Sequence, residues 1–268
     1  MKRLGVLTII LALCAAACGG ADFVYFESIT SGPNPGATLI VVWMSDSPAD
    51  DADALEVSVA RVELVAGNII VPLATSTQTF DLLALQNGNR IKLAETNVAP
   101  ASFDRIRLTL IEDGPLGPRL RRGITWEPLA FATPGGHVID VPYGVHAAPD
   151  ATLEIQIDFN ARTSLLDVEG DVQLAPQLDA LDPGFAGTIR GTVRGSLGAP
   201  LADAIVIAHR AGVEVRSTRT RGDGTYTLTP LSPGSYDLSV QTPEGPIAPE
   251  PDVAVTSGEI TTVDFASP

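Results

Sequence analysis

Two clusters in this 268-residue chain hold residue types that could do chemistry. Asp46, Asp50, Asp51 and Asp53 crowd the stretch DSPADDAD. Oxygen-rich loops of this kind bind calcium, but there is no D-x-D-x-D-G run and no bidentate Glu at a suitable offset. A solvated loop with an Asx turn is the stronger reading. Arg119, Arg121 and Arg122 form the second cluster, with Trp126 close behind. Guanidinium groups beside an aromatic ring could hold an acidic glycan or a lipid phosphate. The competing reading, which the bare sequence favours, is a loop whose arginines pair with neighbouring carboxylates. Arg221-Gly222-Asp223 spells an integrin-type tripeptide, and its position in a turn before a strand makes chance the better account. Catalysis has no support. His137, His146 and His209 are scattered, and there is no paired-His spacing, G-x-S-x-G elbow or phosphate-cradling loop. Glu154 and Asp158 share one strand face, as any half-buried strand would give, whereas a glycosidase needs its two carboxylates in a cleft. The reading is therefore of no enzyme and no cofactor.

The totals narrow the partners. The chain carries 17 basic and 32 acidic residues, a net charge of −15. Such a surface repels nucleic acid and anionic headgroups and favours solubility. The first twenty residues, MKRLGVLTIILALCAAACGG, open with Lys2 and Arg3 and continue with an apolar run too short to span a bilayer comfortably. That is a secretory signal peptide. Cleavage before Cys18 removes 17 of the 268 residues and leaves 251, with 15 basic and 32 acidic residues and a net charge of −17. This length suits one large or two modest domains. No apolar run after Ala17 reaches transmembrane length.

The elements that must position these residues are strands. Residues 19–36 end in a Gly/Pro/Asn/Ser cluster and read as a stalk. Its Phe23, Tyr25 and Phe26 either pair as a strand or lie at the lipid interface, with the strand favoured. TLIVVWM at 38–44 is an apolar strand running into a turn at Asp46-Ser47-Pro48. In 55–65, Leu55, Val57 and Val59 share one face, and Val62 and Leu64 continue with opposite parity. A period of two cannot change phase without a slip, so a β-bulge is expected near Ala60-Arg61. Residues 68–73 and QTFDLL at 78–83 read as short strands, Asn87-Gly88 as a hairpin-type turn, and 91–95 as the weakest strand. Ile106, Leu108 and Leu110 form an inward row. Leu153, Ile155, Ile157 and Phe159 form the clearest one, with Glu154, Gln156 and Asp158 as its wet face. DALDPGFAG at 179–187 reads as a linker, and about seven glycine-punctuated strands follow. Among these, Ile189, Val193, Tyr226, Leu228, Tyr236, Leu238 and Val240 are expected inside. The acidic charge sits mainly before the linker: 9 basic and 21 acidic residues over 37–186, against 6 and 9 over 187–268. The fold class is all-β, two β-sandwich domains in tandem.

Three resemblances add to this. The signal peptide resembles that of a bacterial lipoprotein, which implies diacylation of Cys18 and attachment to a membrane by lipid. Ala15 stands where such signals usually carry Leu. Gly19 after the cysteine implies delivery to the outer membrane in a cell that has one. Residues 37–180 resemble a bacterial lipoprotein family labelled a domain of unknown function (the 4382 family). The resemblance rests on DSPADD at 46–51, LEVSVARVEL, FDLLALQNG at 80–88, FDRIRLTL at 103–110, LEIQIDFNA and VQLAPQL. Residues 187–268 are similar to the carboxypeptidase-regulatory-like domain, a prealbumin-type sandwich. Here the carrying motifs are G-x-I-x-G-x-V at 187–193, G-x-P-L-x-x-A at 198–204, D-G-x-Y at 223–226 and L-x-P-G-x-Y-x-L at 231–238. The implied organisation is a signal peptide at 1–17, a lipidated stalk at 18–36, and the two sandwiches. The implied role is a lipid-anchored envelope protein that binds a glycan or an envelope protein, or else serves as a spacer or assembly subunit.

Overall fold

A computed structural model describes residues 24–25, 36–49 and 52–267. The strand Ala54–Ala66 shows how sequence becomes fold. Leu55, Val57, Val59, Val62 and Leu64 are all buried in one core, although their parity changes midway. The pairing with Ala101–Leu110 jumps from Val59–Leu110 to Arg61–Thr109, leaving Ala60 as the extra residue. This bulge lies where the change of phase predicts it. It also divides the labour of the strand. The first half pairs with Gln78–Asp81 and Arg119–Arg122, and the second half with Ile69–Ala74 and Ala101–Leu110. Val138–Ala147 flanks Ala101–Leu110 on the outside, and Val24–Tyr25 adds to Ile69–Ala74 in parallel. Part of the expected stalk is thus a strand. The rest of it up to Pro35, with Cys18 and the signal peptide, lies outside the described residues.

The facing sheet runs Leu178–Leu181, Thr152–Asn160, Thr38–Ser47, Ile91–Val98, with the two central strands parallel. Ile40, Val42, Met44, Ile155, Ile157 and Phe159 meet the first sheet in a single core. Burial of each such side chain contributes about 1.5–3 kcal/mol. The gap beside Ile91–Val98 is closed by side chains: Gln78 Nε2 donates to the Leu93 carbonyl, and Thr96 Oγ1 to the Leu73 carbonyl.

Four expectations are corrected here. The strand Thr38–Ser47 runs through Asp46 and Ser47, because both pair with Phe159 and Asn160, and Pro48 ends it instead. QTFDLL is a strand only to Asp81. The Asp81 carboxylate accepts from Leu83 N and so caps a 3-10 turn over Leu82–Leu85. Residues 179–187 are not a free linker, since Leu178–Leu181 pairs with Thr152–Asn160 and Asp182 caps a second 3-10 turn at Pro183–Phe185. Finally, the supposed wet face of 152–159 is largely dry, with Gln156 1% and Asp158 5% exposed. A second layer covers it.

That layer is the second sandwich. One sheet runs Thr225–Leu231, Gly187–Arg194, Ile260–Thr262, with Phe265–Ala266 also on Gly187–Arg194. The other runs Val213–Arg219, Ile205–Arg210, Gly234–Thr242, Gly245–Val255. Its core holds Ile189, Val193, Tyr226, Leu228, Tyr236, Leu238 and Val240, as the alternation requires. Gly191 is needed for contact rather than for a turn. A Cβ there would lie 1.7 Å from the Val263 carbonyl oxygen, which also accepts from the Tyr226 hydroxyl at 2.7 Å.

Candidate functional site

Arg119, Arg121, Arg122 and Trp126 do come together, on a hairpin of Arg119–Arg122 and Thr125–Pro128 in which Arg121 opposes Trp126. The guanidinium groups of Arg119 and Arg121 lie over the indole, at 4.6 and 5.5 Å from the ring centroid. Arg119 is paired with Glu56 at 2.5 Å and Arg122 with Glu127 at 3.2 Å. Arg121 Nε is buried with no hydrogen-bond partner among the described residues. Two of the three cations are therefore answered by carboxylates of the protein itself. Ile124 at the hairpin tip is fully exposed.

The acidic stretch separates. Asp53 accepts from Gly123 N at 2.5 Å and so belongs to the hairpin, while Asp50 and Asp51 lie outside the described residues. Asp46 is buried, and its Oδ1 accepts from Ala161 N at 3.0 Å. Its Oδ2 has no hydrogen-bond partner among the described residues. Burial, reinforced by the charge of Asp158, holds the Asp46 carboxyl well above the ordinary carboxylate range. No group of three or more His, Cys, Asp or Glu converges for a metal among the described residues. The histidines are apart: His137 lies beside Glu112, His146 on Ser102 and His209 on Ser239. Asp223 of the Arg-Gly-Asp turn accepts from both the backbone and the hydroxyl of Thr225. Those bonds hold its carboxyl below the ordinary range.

The most constructed polar site is one that reading the sequence misses, the seam between the sandwiches. Arg216, 4% exposed on the strand Val213–Arg219, reaches across to Asp158 at 2.6 Å and Ser45 Oγ at 3.2 Å. The same nitrogen donates to the Thr229 carbonyl of its own domain. Burial raises the Asp158 carboxyl, against the downward pull of Arg216 and Ser45. Ser217 N donates to Ser47 Oγ. At the other end, Arg162 meets Glu214 and Gln241.

Asn87 completes the seam. Both Asn87 and Gly88 have positive φ, 57° and 84°, as the expected turn type demands, though the turn joins a 3-10 segment to the strand Ile91–Val98 rather than two strands. The Asn87 side chain donates to the Arg219 carbonyl at 2.8 Å and accepts from Thr227 N at 3.0 Å. Its own carbonyl accepts from Arg221. One amide thereby bridges the edge strands of both sheets in the second sandwich, satisfying backbone groups that an edge leaves open. The nearest sequence signal for the seam is the arginine among alternating residues in VEVRSTR. The sequence carries nothing that pairs it with Asp158, 58 residues away.

The seam also borders a half-open hollow of about 250 Å³, lined from the first domain by Ser45, Gln156, Asn89 and Arg90 and from the second by Thr188 and Thr229. Arg90 beside it lies 4.1 Å from the Trp43 ring centroid and 3.4 Å from Glu154.

The family model described as Domain of unknown function (DUF4382) matches residues 37–176, more than half of the 268 residues. The chain belongs to this family. A second model, Carboxypeptidase regulatory-like domain, matches residues 188–267, so the family domain and its companion follow in the expected order. The joint between the two matches, 177–187, contains the last strand of the first sandwich and the Pro183–Phe185 turn. No curated protein matches the chain. Among solved structures the chain is similar to the Bacillus anthracis TIE protein, at 9% identity and TM-score 0.27, covering 89% of this chain and 41% of that one. It is also similar to GBS52, the minor pilin of Streptococcus agalactiae, at 11% identity and TM-score 0.26, covering 84% and 94%. For BcpA, the major pilin subunit of Bacillus cereus, the values are 9% and 0.23, covering 86% and 69%. The chain thus spans under half the length of the first of these. At such scores the likeness carries no argument about ligand or partner.

Proposed function

We propose that this family member is an exported envelope protein, anchored through lipid on Cys18, whose role is non-catalytic binding of a glycan or an envelope-protein partner. The observation that carries the reading is the seam. Two sandwiches joined by a buried ion pair and a bridging asparagine form one pre-organised body, and a fixed surface loses less entropy on binding than two domains on a loose linker. The titratable groups point the same way. Asp46 Oδ1 holds the Ala161 N–H, and Asp158 and Arg216 hold each other across the seam.

A spacer or subunit assembling through its edges fits less well. Gly245–Val255 carries Pro246, Pro249 and Pro251 and two register shifts, and Val138–Ala147 carries Pro142 and a shift of its own. Prolines and bulges blunt an edge against further strands.

Two measurements test the proposal. Palmitate labelling of the chain, lost in Cys18→Ser together with membrane retention, is the expected anchor result; unlabelled wild type sinks the anchor. A screen against a glycan array and envelope extract should yield a defined sugar or a single protein, with loss on Trp126→Ala if the arginine hairpin is the contact. Silence in both screens removes the binding role.

A further inference from the structure

We propose that the 250 Å³ hollow at the seam is a binding site for one neutral, hydroxyl-rich molecule the size of a sugar ring. This rests on the binding role above and gives it a place and a ligand class. The volume equals about eight water molecules at roughly 30 Å³ each, and it falls below the range of about 300–1,000 Å³ that drug-sized ligands occupy. Its polar lining is amide and hydroxyl: Gln156, Asn89, Ser45, Thr188 and Thr229. The one charge in the lining, on Arg90, is met by Glu154 at 3.4 Å and lies over the Trp43 ring. An anion would therefore find no uncompensated cation, and a cation would find no carboxylate in the lining. An apolar ligand would leave the Gln156 amide oxygen and the spare capacity of the Thr188 and Thr229 hydroxyls without partners, which costs about 1–3 kcal/mol for each group. A polyol satisfies them.

Gln156 supplies the independent observation. The residue is 1% exposed, and among the described residues its only side-chain hydrogen bond is a 3.3 Å donation from Nε2 to the carbonyl of the adjacent Ile157. Its amide oxygen accepts from none of the described residues, although the residue borders the hollow. The Thr188 and Thr229 hydroxyls bond each other at 2.8 Å across the opposite wall, which leaves each with capacity for one more partner. The prolines Pro183 and Pro230 offer apolar faces beside these groups, as the C–H face of a sugar ring requires. The walls come from both domains, and the Arg216–Asp158 and Thr227–Asn87 bonds fix their spacing.

The test is saturation-transfer NMR on the full chain with glucose, galactose, mannose and N-acetylglucosamine as probes. At least one sugar should show transfer. Its affinity should fall about tenfold in Gln156→Met and in Thr188→Val, the loss expected when a hydrogen bond to the ligand is removed. Unchanged thermal unfolding of the variants shows that they fold, and Thr188→Val serves if Gln156→Met does not. No transfer from any of the four sugars overturns the site. Transfer that persists undiminished in both variants also overturns it, while leaving a binding role elsewhere on the surface intact.

Discussion

Asp158 and Asp46 lie on neighbouring strands, opposite Ser45 and Phe159, and burial raises both carboxyl groups. Their partners differ. Asp158 faces a guanidinium, and the pair's mutual attraction offsets part of its desolvation. Arg216→Ala leaves that carboxylate buried and uncompensated, and should destabilise the fold by about 3–5 kcal/mol in urea unfolding. Much of the loss should return in the Arg216→Ala, Asp158→Ala double variant. Asp46 has no cation, and in the fold it retains its proton above its ordinary value of 3.8. An Asp with a raised folded value contributes stability that is fully present below the unfolded value and lost as pH rises through the folded one. Asp46→Asn should therefore match wild type near pH 3 in stability and exceed it at neutral pH. A difference that does not grow with pH would show that Asp46 is ionised in the fold.

At the scale of elements, two strands carry features that a single residue can break. The bulge at Ala60 keeps Leu55, Val57 and Val59 in the same core as Val62 and Leu64. Deleting Ala60 brings Val62 and Leu64 into the same parity as Leu55, Val57 and Val59, so a regular ladder can replace the bulge and the expected outcome is soluble, folded protein on expression. Loss of soluble protein would mean that the sheet needs the bend the bulge gives it. Gly191 lets the Val263 backbone pass close over the strand Gly187–Arg194. With an added Cβ 1.7 Å from a backbone oxygen, the neighbouring segment must move bodily. Gly191→Ala should therefore cost about 3 kcal/mol, at the upper end of overpacking. A loss under about 1 kcal/mol would mean that this edge yields easily.

At the scale of the molecule, the seam should make two cores unfold as one. Calorimetry of wild type should give a single transition, with calorimetric and van't Hoff enthalpies equal. Asn87→Asp replaces the donor to the Arg219 carbonyl with an acceptor, so two oxygens face each other at the seam. It should weaken the docking by about 1–3 kcal/mol and separate the transition into two. Two transitions already present in wild type would remove the seam as a coupling element.

The sequence by itself determined the fold class, the order of the two domains, the inward rows and even the bulge, because alternation and turn chemistry are local properties of the chain. It also held both candidate clusters as composition, without saying what each arginine or aspartate would touch. Only the tertiary structure decided that Arg119 and Arg122 are answered by carboxylates and that Asp46 is buried as a cap. Tertiary structure alone also turned the apparently wet face of 152–159 into an interface. A half-buried strand and a strand covered on its second face by polar contacts have the same pattern. What covers Asp158 is Arg216, placed there by packing between domains that no local periodicity records.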